Sequence, residues 1–540
     1  MIVLAGIGAA SLAAGDGGRT VGLFRHDEGT LAGYTLFAPM RSGATYLIDN
    51  NGKVVNTWQS DYIPSTSVYL RENGNLLRPG RLGGNPTFNV FQGEGGIIQE
   101  FSWEGDLVWE YVYSTADYVT HHDIEPLPNG NVLILAWELM DIDSAIDAGR
   151  DPDRLLDGEL WPEHVIEVEP TGTTSGRVVW EWHTWDHLVQ DFDPTKDNLG
   201  VVADHPELID VNFIEFTRPP DGEADWHHAN SINYNAELDQ IMLSVRHFSE
   251  IWVIDHSTTT EEAASRSGGD SGRGGDLLYR WGNPQAYDAG NPDDQQLFSQ
   301  HDARWIEPGL PGAGNILVFN NGNGRGYSSV EEIVPPVDDS GNYALTAGQL
   351  YGPEAPTWTY SAPVRTDFYA ALFSSAIRLP NGNTLINDGP IGTLFEVTVA
   401  GETVWKYVNP IQADGPLAQD DPIPPDGLGV FRATRYPPDY PGLAGRNLTP
   451  GGPIEIAKPT PTPTITTGPD PTPTPTSTPG DADGDGRLTS LDALVVLQYD
   501  AGLLTSLPSL EIADVNQDGS ITSIDAALIL QAVAGLAPLR

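Results

Sequence analysis

The apolar positions of residues 22–453 come in short runs of β-formers broken by glycine, proline and asparagine, the pattern of strands joined by tight turns. One motif recurs: a glycine, two or three residues, a β-former, then Trp or Tyr with a second aromatic two positions on. Its copies are Gly52-Lys-Val-Val-Asn-Thr-Trp58, Gly105-Asp-Leu-Val-Trp109-Glu-Tyr111, Gly176-Arg-Val-Val-Trp180-Glu-Trp182, Gly275-Asp-Leu-Leu-Tyr279-Arg-Trp281, Pro356-Thr-Trp358-Thr-Tyr360 and Gly401-Glu-Thr-Val-Trp405-Lys-Tyr407. A turn followed by a strand accompanies several of them, at Asn73-Gly74, Asn129-Gly130, Gly314-Asn315 and Asn381-Gly382; Asn-Gly is a strong hairpin signal. Each unit reads as a small antiparallel sheet. Six copies carrying a signature aromatic predict an all-β, six-bladed β-propeller, with unrelated hairpins in a β-sandwich as the alternative. The fifth copy is degenerate, and the stretch between Trp182 and Tyr279 predicts long inserted loops.

The pattern changes at the C-terminal end. Residues 458–479 alternate Pro and Thr with almost nothing to bury, an extended spacer. The expected organisation is a leader over 1–21, the propeller over 22–453, the linker over 454–480 and a small α-helical tail over 481–540. In the tail, Asp481, Asp483, Asp485, Arg487, Thr489 and Asp492 occupy positions one, three, five, seven, nine and twelve of a calcium loop, with Gly486 at the sharp turn. Asp514, Asn516, Asp518, Ser520, Thr522 and Asp525 repeat the frame 33 residues later. Each loop leads into an apolar helix, residues 493–499 and 526–533. Two loops with Asp at position twelve and no second helix before each loop resemble the dockerin type I family. The resemblance implies two Ca2+ ions and a cohesin partner on a cellulosome-like scaffold, met through Ser490, Leu491, Ser523 and Ile524. A calcium-stapled tail that docks nowhere is the alternative.

Charge narrows the partners. Against 27 basic residues stand 75 acidic ones, a net charge of -48, so nucleic acid is repelled. There are no cysteines, which removes disulfides and thiolate chemistry. Residues 1–15 form an apolar, small-residue run like a signal peptide h-region ending near Ala13 or Ala14, without a basic n-region. Secretion is expected, chiefly because of the tail, and no later run is long enough to span a bilayer.

Histidines gather at His121-His122-Asp123, Trp226-His227-His228-Ala229-Asn230, Arg246-His247 and His301-Asp302. His122, His228 and His301 each precede a turn and strand by a similar interval, which predicts three imidazoles from different blades converging on the channel. Arg246 is expected to reach the same space and to favour an anionic guest. Ser374 holds the corresponding place in the last unit. His121 and His227, one residue off along their strands, are expected to point the other way and be structural. Three converging histidines equally describe a metal centre, although a fixed Arg246 opposes a cation there.

His121-His-Asp-Ile-Glu125, Asp225-Trp-His-His-Ala-Asn230, Ser244-Val-Arg-His247 and Gln300-His-Asp-Ala-Arg304, with Gly33-Tyr-Thr-Leu-Phe-Ala-Pro39 and Thr45-Tyr-Leu-Ile-Asp49, make the body resemble the bacterial arylsulfate sulfotransferases that use no nucleotide sulfate donor. The resemblance implies a six-bladed propeller and ping-pong transfer of a sulfuryl group from an aryl sulfate to a phenol, without a catalytic cofactor. It makes His301 the nucleophile that forms a sulfohistidine. His122, His228, Asn230 and Arg246 would hold sulfuryl oxygens or serve the departing phenolate. The sequence departs from the family in lacking the cysteine pair of some members, in the insertion between Trp182 and Asp225, and in its linker and tail. Rival expectations are a metalloenzyme built on His122, His228 and His301, and a non-catalytic propeller that binds sulfated ligands.

Overall fold

The computed structural model describes residues 19–88, 93–155, 157–214, 224–346, 349–424, 427–457, 479–484, 487–504, 506–507, 510–534, 536 and 538–539. The leader-like run of residues 1–15, most of the Pro/Thr spacer, and Asp485 with Gly486 lie outside them. The chain divides into two compact units, residues 1–458 and 459–540.

The first unit is a six-bladed β-propeller. Outward from the axis, blade one is Val430–Tyr436, Tyr34–Pro39, Ala44–Asp49 and Val54–Gln59; blade two is Tyr69–Leu70, Leu76–Arg81, Gly96–Phe101 and Leu107–Val112. Blade three is Tyr118–Pro126, Val132–Glu138, Glu163–Gly172 and Ser175–His183; blade four is Ala229–Asn235, Gln240–Val245, Glu250–Asp255 and Tyr279–Trp281. Blade five is His301–Trp305, Ile316–Asn320, Ser329–Ile333 and Trp358–Tyr360. Blade six is Ser375–Arg378, Thr384–Asp388, Thr393–Val397 and Thr403–Val408, with Gly22–His26 as a fifth strand. The first and last strands described in this unit therefore complete blades begun elsewhere: Val430–Tyr436 is the inner strand of blade one, and Gly22–His26 covers the outer edge of blade six.

The sequence motif is the fourth strand of each blade, and its tryptophans bind the ring together. Indole N–H groups donate to backbone carbonyls of the following blade: Trp58 to Ser102 at 2.8 Å, Trp109 to Ser175 at 3.1 Å, Trp182 to Gly275 at 2.7 Å, Trp281 to Pro353 at 2.9 Å and Trp358 to Val399 at 3.0 Å. Trp405 donates to Asn50 at 2.8 Å and returns the circuit to blade one. Each such bond is worth about 1 kcal/mol net, while the indoles fill the wedge between blades. The insertion after Trp182 is absorbed the same way, since Leu188, Ile209, Val211 and Trp226 join Trp180, Trp182 and Trp252 in one apolar cluster.

In the second unit, helices Ser490–Asp500 and Ser523–Val533 pack through Ala493, Val496, Ala526 and Ile529. A single turn, Leu510–Ala513, precedes the second loop. Leu491 and Ile524 are 55% and 59% exposed, at equivalent places beside the two N-caps Thr489 and Thr522.

Candidate active site

Irregularities at the channel end of three neighbouring inner strands build the site. In blade three, His121, His122 and Asp123 together face Leu135, and His122 is left-handed at φ 48°. In blade four, Asn230 is the extra residue between Ala229 and Ser231, two positions after left-handed His228 at φ 50°. In blade five, Asp302 and Ala303 face Val318, with Asp302 at φ 55°. Such bulges re-aim side chains that a regular pleat would alternate, and a left-handed non-glycine residue costs on the order of 1–2 kcal/mol.

The structure brings the expected trio together. The His122 and His228 rings lie 4.5 Å apart, and Phe431 stands 6.1 Å from His122 and 6.0 Å from His301. Phe373 stacks on Phe431 at 6.3 Å, so an aromatic wall flanks the imidazoles. Arg246 is buried and close enough to depress both His301 and His122.

His301 has a defined tautomer. Its Nδ1 donates to the side-chain oxygen of Asn321 at 2.7 Å, and that amide is oriented by donating its own nitrogen to the carbonyls of Ala370 at 2.7 Å and Phe373 at 2.9 Å. The lone pair is left on Nε2. Burial, then Arg246, hold the ring far below the usual histidine range, hence neutral.

The other expected residues take distinct places. His228 Nδ1 donates to the Asp225 carboxylate, and its ring stacks on His247 at 4.7 Å. Asn230 donates to the carbonyl of Gln300, the residue before His301, at 2.8 Å. The Ser374 hydroxyl is engaged by backbone, accepting from Gly389 N–H at 3.0 Å and donating to the Leu372 carbonyl at 3.3 Å. His227 packs among Trp226, Phe248 and Trp252. His121 departs from the alternation argument: the bulge brings its Nδ1 to 2.9 Å from His122 Nδ1, while its Nε2 meets Glu163 at 2.6 Å.

One residue further along the inner strands lies a buried ion network. Arg432 joins Asp123 at 2.6 Å and Asp302 at 2.7 Å, linking blades one, three and five. Tyr69 donates to Asp123 at 2.8 Å, and Arg304 to Asp302 at 2.9 Å. Nearby Glu125 is pushed up to about 8, first by burial and then by Asp123. Phe431, Arg432, Asn321 and Glu163 were not among the expected site residues. None lies in a histidine motif, and each reaches the site from a distant part of the chain.

As a metal centre the trio is poorly arranged. Among the described residues, His122, His228 and His301 are not a group whose donor atoms all lie within 4.8 Å. Asp225, His228 and His247 do form one, as do Glu138, His164 and His183, whose two rings stack parallel at 5.1 Å. In the tail, Asp481, Asp483 and Asp492 bring donors within 4.8 Å, an all-oxygen set that fits a hard cation. The loops share a frame: Asp492 accepts from Asp483 N–H at 3.1 Å and Thr489 N–H at 2.7 Å, and Asp525 accepts from Asn516 N–H at 3.2 Å and Thr522 N–H at 3.0 Å. In the second loop the Asn516 amide nitrogen turns to Asp518 at 2.9 Å.

Fold and site thus define a propeller whose channel presents a neutral, tautomer-fixed imidazole among further histidines, an arginine and aromatic rings. Residues 35–410 match the arylsulfotransferase (ASST) family model, and the chain belongs to that family. Residues 479–534 match the dockerin type I domain, a module that is generally calcium-binding and typical of extracellular proteins. The chain is 26% identical to the arylsulfate sulfotransferase AssT of Escherichia coli O6:H1 over 65% of its own length and 58% of the relative's. It is 26% identical to AssT of Lelliottia amnigena over 69% and 61%. It therefore spans about three fifths of the length of these curated relatives. Among solved structures, a Bacteroides caccae protein of unknown function aligns at TM-score 0.38 and 11% identity, covering 70% of this chain and 94% of that one. No helix among the described residues is long and apolar enough to cross a membrane.

Proposed function

We propose that the propeller moves a sulfuryl group from an aryl sulfate to a phenolic acceptor in two steps through a sulfohistidine at His301. The observation that carries this is the Asn321 bond, which leaves the Nε2 lone pair of a neutral buried imidazole beside Arg246 and two further histidines. The family membership and the printed name of the two relatives support the same chemistry.

In the first step His301 Nε2 attacks sulfur, the bond to the aryl oxygen breaks, and its electron pair leaves on the phenolate, which takes a proton from His122. In the second, an acceptor phenol attacks sulfur, returns its proton, and the N–S electron pair goes back to Nε2. Charge spreads over the equatorial sulfuryl oxygens in each transition state, as in phosphoryl transfer, so fixed donors do most of the work. Arg246 and His228 supply that stabilisation, while Asn230 holds the start of the His301 strand. Phe431 and Phe373 offer faces to the aryl group.

The tail would hold one Ca2+ in each loop, through Asp481, Asp483, Asp485, the Arg487 carbonyl, Thr489 and Asp492, and through Asp514, Asn516, Asp518, the Ser520 carbonyl, Thr522 and Asp525. Exposed Leu491 and Ile524 beside Ser490 and Ser523 would meet a cohesin on an extracellular scaffold, the partner a dockerin implies.

The test is nitrophenol release from 4-nitrophenyl sulfate, with and without phenol, by the parent protein and by His301→Ala. Phenol-stimulated release that the variant lacks is expected. A parent that releases no phenol from any of several aryl sulfates overturns the reading.

A further inference from the structure

Joined to His122 through its Nδ1 lies a line of protonatable groups that the two-step transfer leaves unused. His121 is completely enclosed and its ring lies flat on Trp137, 4.0 Å between centroids and 7° between planes, so it has no room to rotate. Both of its nitrogens are committed, Nδ1 to His122 Nδ1 at 2.9 Å and Nε2 to Glu163 Oε2 at 2.6 Å. The second Glu163 oxygen accepts the Ala229 N–H at 2.7 Å, which fixes the carboxyl group on His121. His122 is left with Nε2 as the ring nitrogen that His121 does not engage.

We infer that Glu163 and His121 form a proton relay that supplies His122 with the proton given to the departing phenolate and takes it back from the acceptor phenol. The inference rests on the transfer reading above and deepens it.

Only one hydrogen fits between two facing Nδ1 atoms, so the line has two complete arrangements. In the first, the Glu163 carboxyl donates to His121 Nε2, His121 Nδ1–H donates to His122 Nδ1, and His122 Nε2 carries a proton. In the second, His121 Nε2–H donates to a Glu163 carboxylate, His122 Nδ1–H donates to His121, and His122 Nε2 is bare.

Passing from the first arrangement to the second releases one proton at Nε2. When the aryl S–O bond breaks, its electron pair stays on the phenol oxygen, which takes that proton. His122 Nδ1 then takes the His121 proton, and His121 takes the carboxyl proton. The sulfate's single negative charge thereby ends on Glu163, while His301 becomes the sulfo-imidazolium, neutral overall. An acceptor phenol runs the line backwards. Without such a line, His122 would have to change its own net charge inside the protein. Burial favours the first arrangement at rest, since it raises Glu163 far above the usual carboxylic acid range and pushes His121 down to about 3. Asp225, which acts on both groups, opposes ionisation of Glu163.

Glu163 and His121 touch no substrate, so they are positioning residues, and the test must read proton delivery. Glu163→Gln keeps both hydrogen bonds, with its amide N–H donating to His121, but has no proton to release. General acid assistance is worth about 10²–10⁴-fold, and it matters most when the leaving phenolate is basic. The variant is therefore expected to lose on the order of 10²-fold in kcat/KM with phenyl sulfate, and only a few-fold with 4-nitrophenyl sulfate. Rates that fall equally across donors of graded leaving-group acidity overturn the relay while leaving the transfer intact. A second measurement needs no variant: phenyl sulfate turnover by the parent in H2O–D2O mixtures. A curved dependence on deuterium fraction is expected from several protons in flight, and a straight line overturns the relay. A parent inactive with every donor overturns the transfer reading and the relay with it.

Discussion

The two units hold their polar groups in opposite ways. In the tail, every proposed cation ligand of a site lies within twelve consecutive residues, and the loop's own N–H groups fasten Asp492 and Asp525. In the propeller, His122, Arg246, His301, Asn321 and Phe431 come from five separate places in four blades, and the backbone of one blade fastens the side chains of another. A local site is legible, and its clustered carboxylates would need an ion to hold like charges together. A distributed site shows in the sequence only its clustered histidines and arginine, and the groups that orient them depend on closure of the ring.

The largest effect expected from this contrast is on removing calcium. With a strong chelator, the helices Ser490–Asp500 and Ser523–Val533 should lose their circular dichroism signal, because Asp481, Asp483 and Asp492 repel one another without a cation. The β signal and melting of the propeller should stay unchanged. Loss of both would show that the two units are not energetically separate.

In the propeller the corresponding break is Arg432→Met, which leaves Asp123 and Asp302 buried without their shared cation. Destabilisation of about 3–5 kcal/mol is expected, read as a large drop in melting temperature. A shift no greater than that of a surface substitution would mean that water or the remaining Arg304 satisfies both carboxylates.

A smaller effect, felt mainly in the chemistry, is expected of Asn321→Ala. Without the amide oxygen, nothing fixes the proton of His301 on Nδ1. The rate should fall on the order of 10²-fold, about 2.7 kcal/mol, while melting falls by less than in Arg432→Met, since only the neutral Ala370 and Phe373 carbonyls lose a donor. Parent-like turnover would remove Asn321 from the account.

The mildest test concerns a joint between blades three and four. His256 donates to Asp239 at 2.7 Å and to Glu167 at 3.0 Å; these partners outweigh its burial and raise it to about 9. A pKa raised from 6.5 adds stability that is fully present below the unfolded value and is lost as pH rises through the folded one. Propeller stability should therefore decline between about pH 6.5 and 9 by a component that His256→Gln removes. Equal slopes in parent and variant would refute this.

Much of the molecule was readable beforehand because it repeats. The aromatic motif marks the fourth strand of each blade, and even the degenerate Trp358 copy keeps its bond to the next blade. His122, His228, Arg246 and His301 were legible through histidine clustering and interval. His121 was misplaced because period-two alternation assumes a regular strand, and the left-handed residue beside it breaks that period. Ser374 was expected by interval to hold the corresponding place, and its hydroxyl is engaged by backbone, which interval alone does not reveal.

The sequence by itself determined the number of blades, the dockerin-like repeat of the tail and which histidines gather at the channel, since each follows from residues close together along the chain or from a pattern repeated many times. Only the tertiary structure decided that Asn321 sets the His301 tautomer, that Phe431 and Arg432 on the closing strand face the site, and that Glu163 stands behind His121. Those four meet their partners across gaps of 20 to 309 residues, through single contacts with no periodicity. Their placement is set by where the blades close, which no local preference encodes.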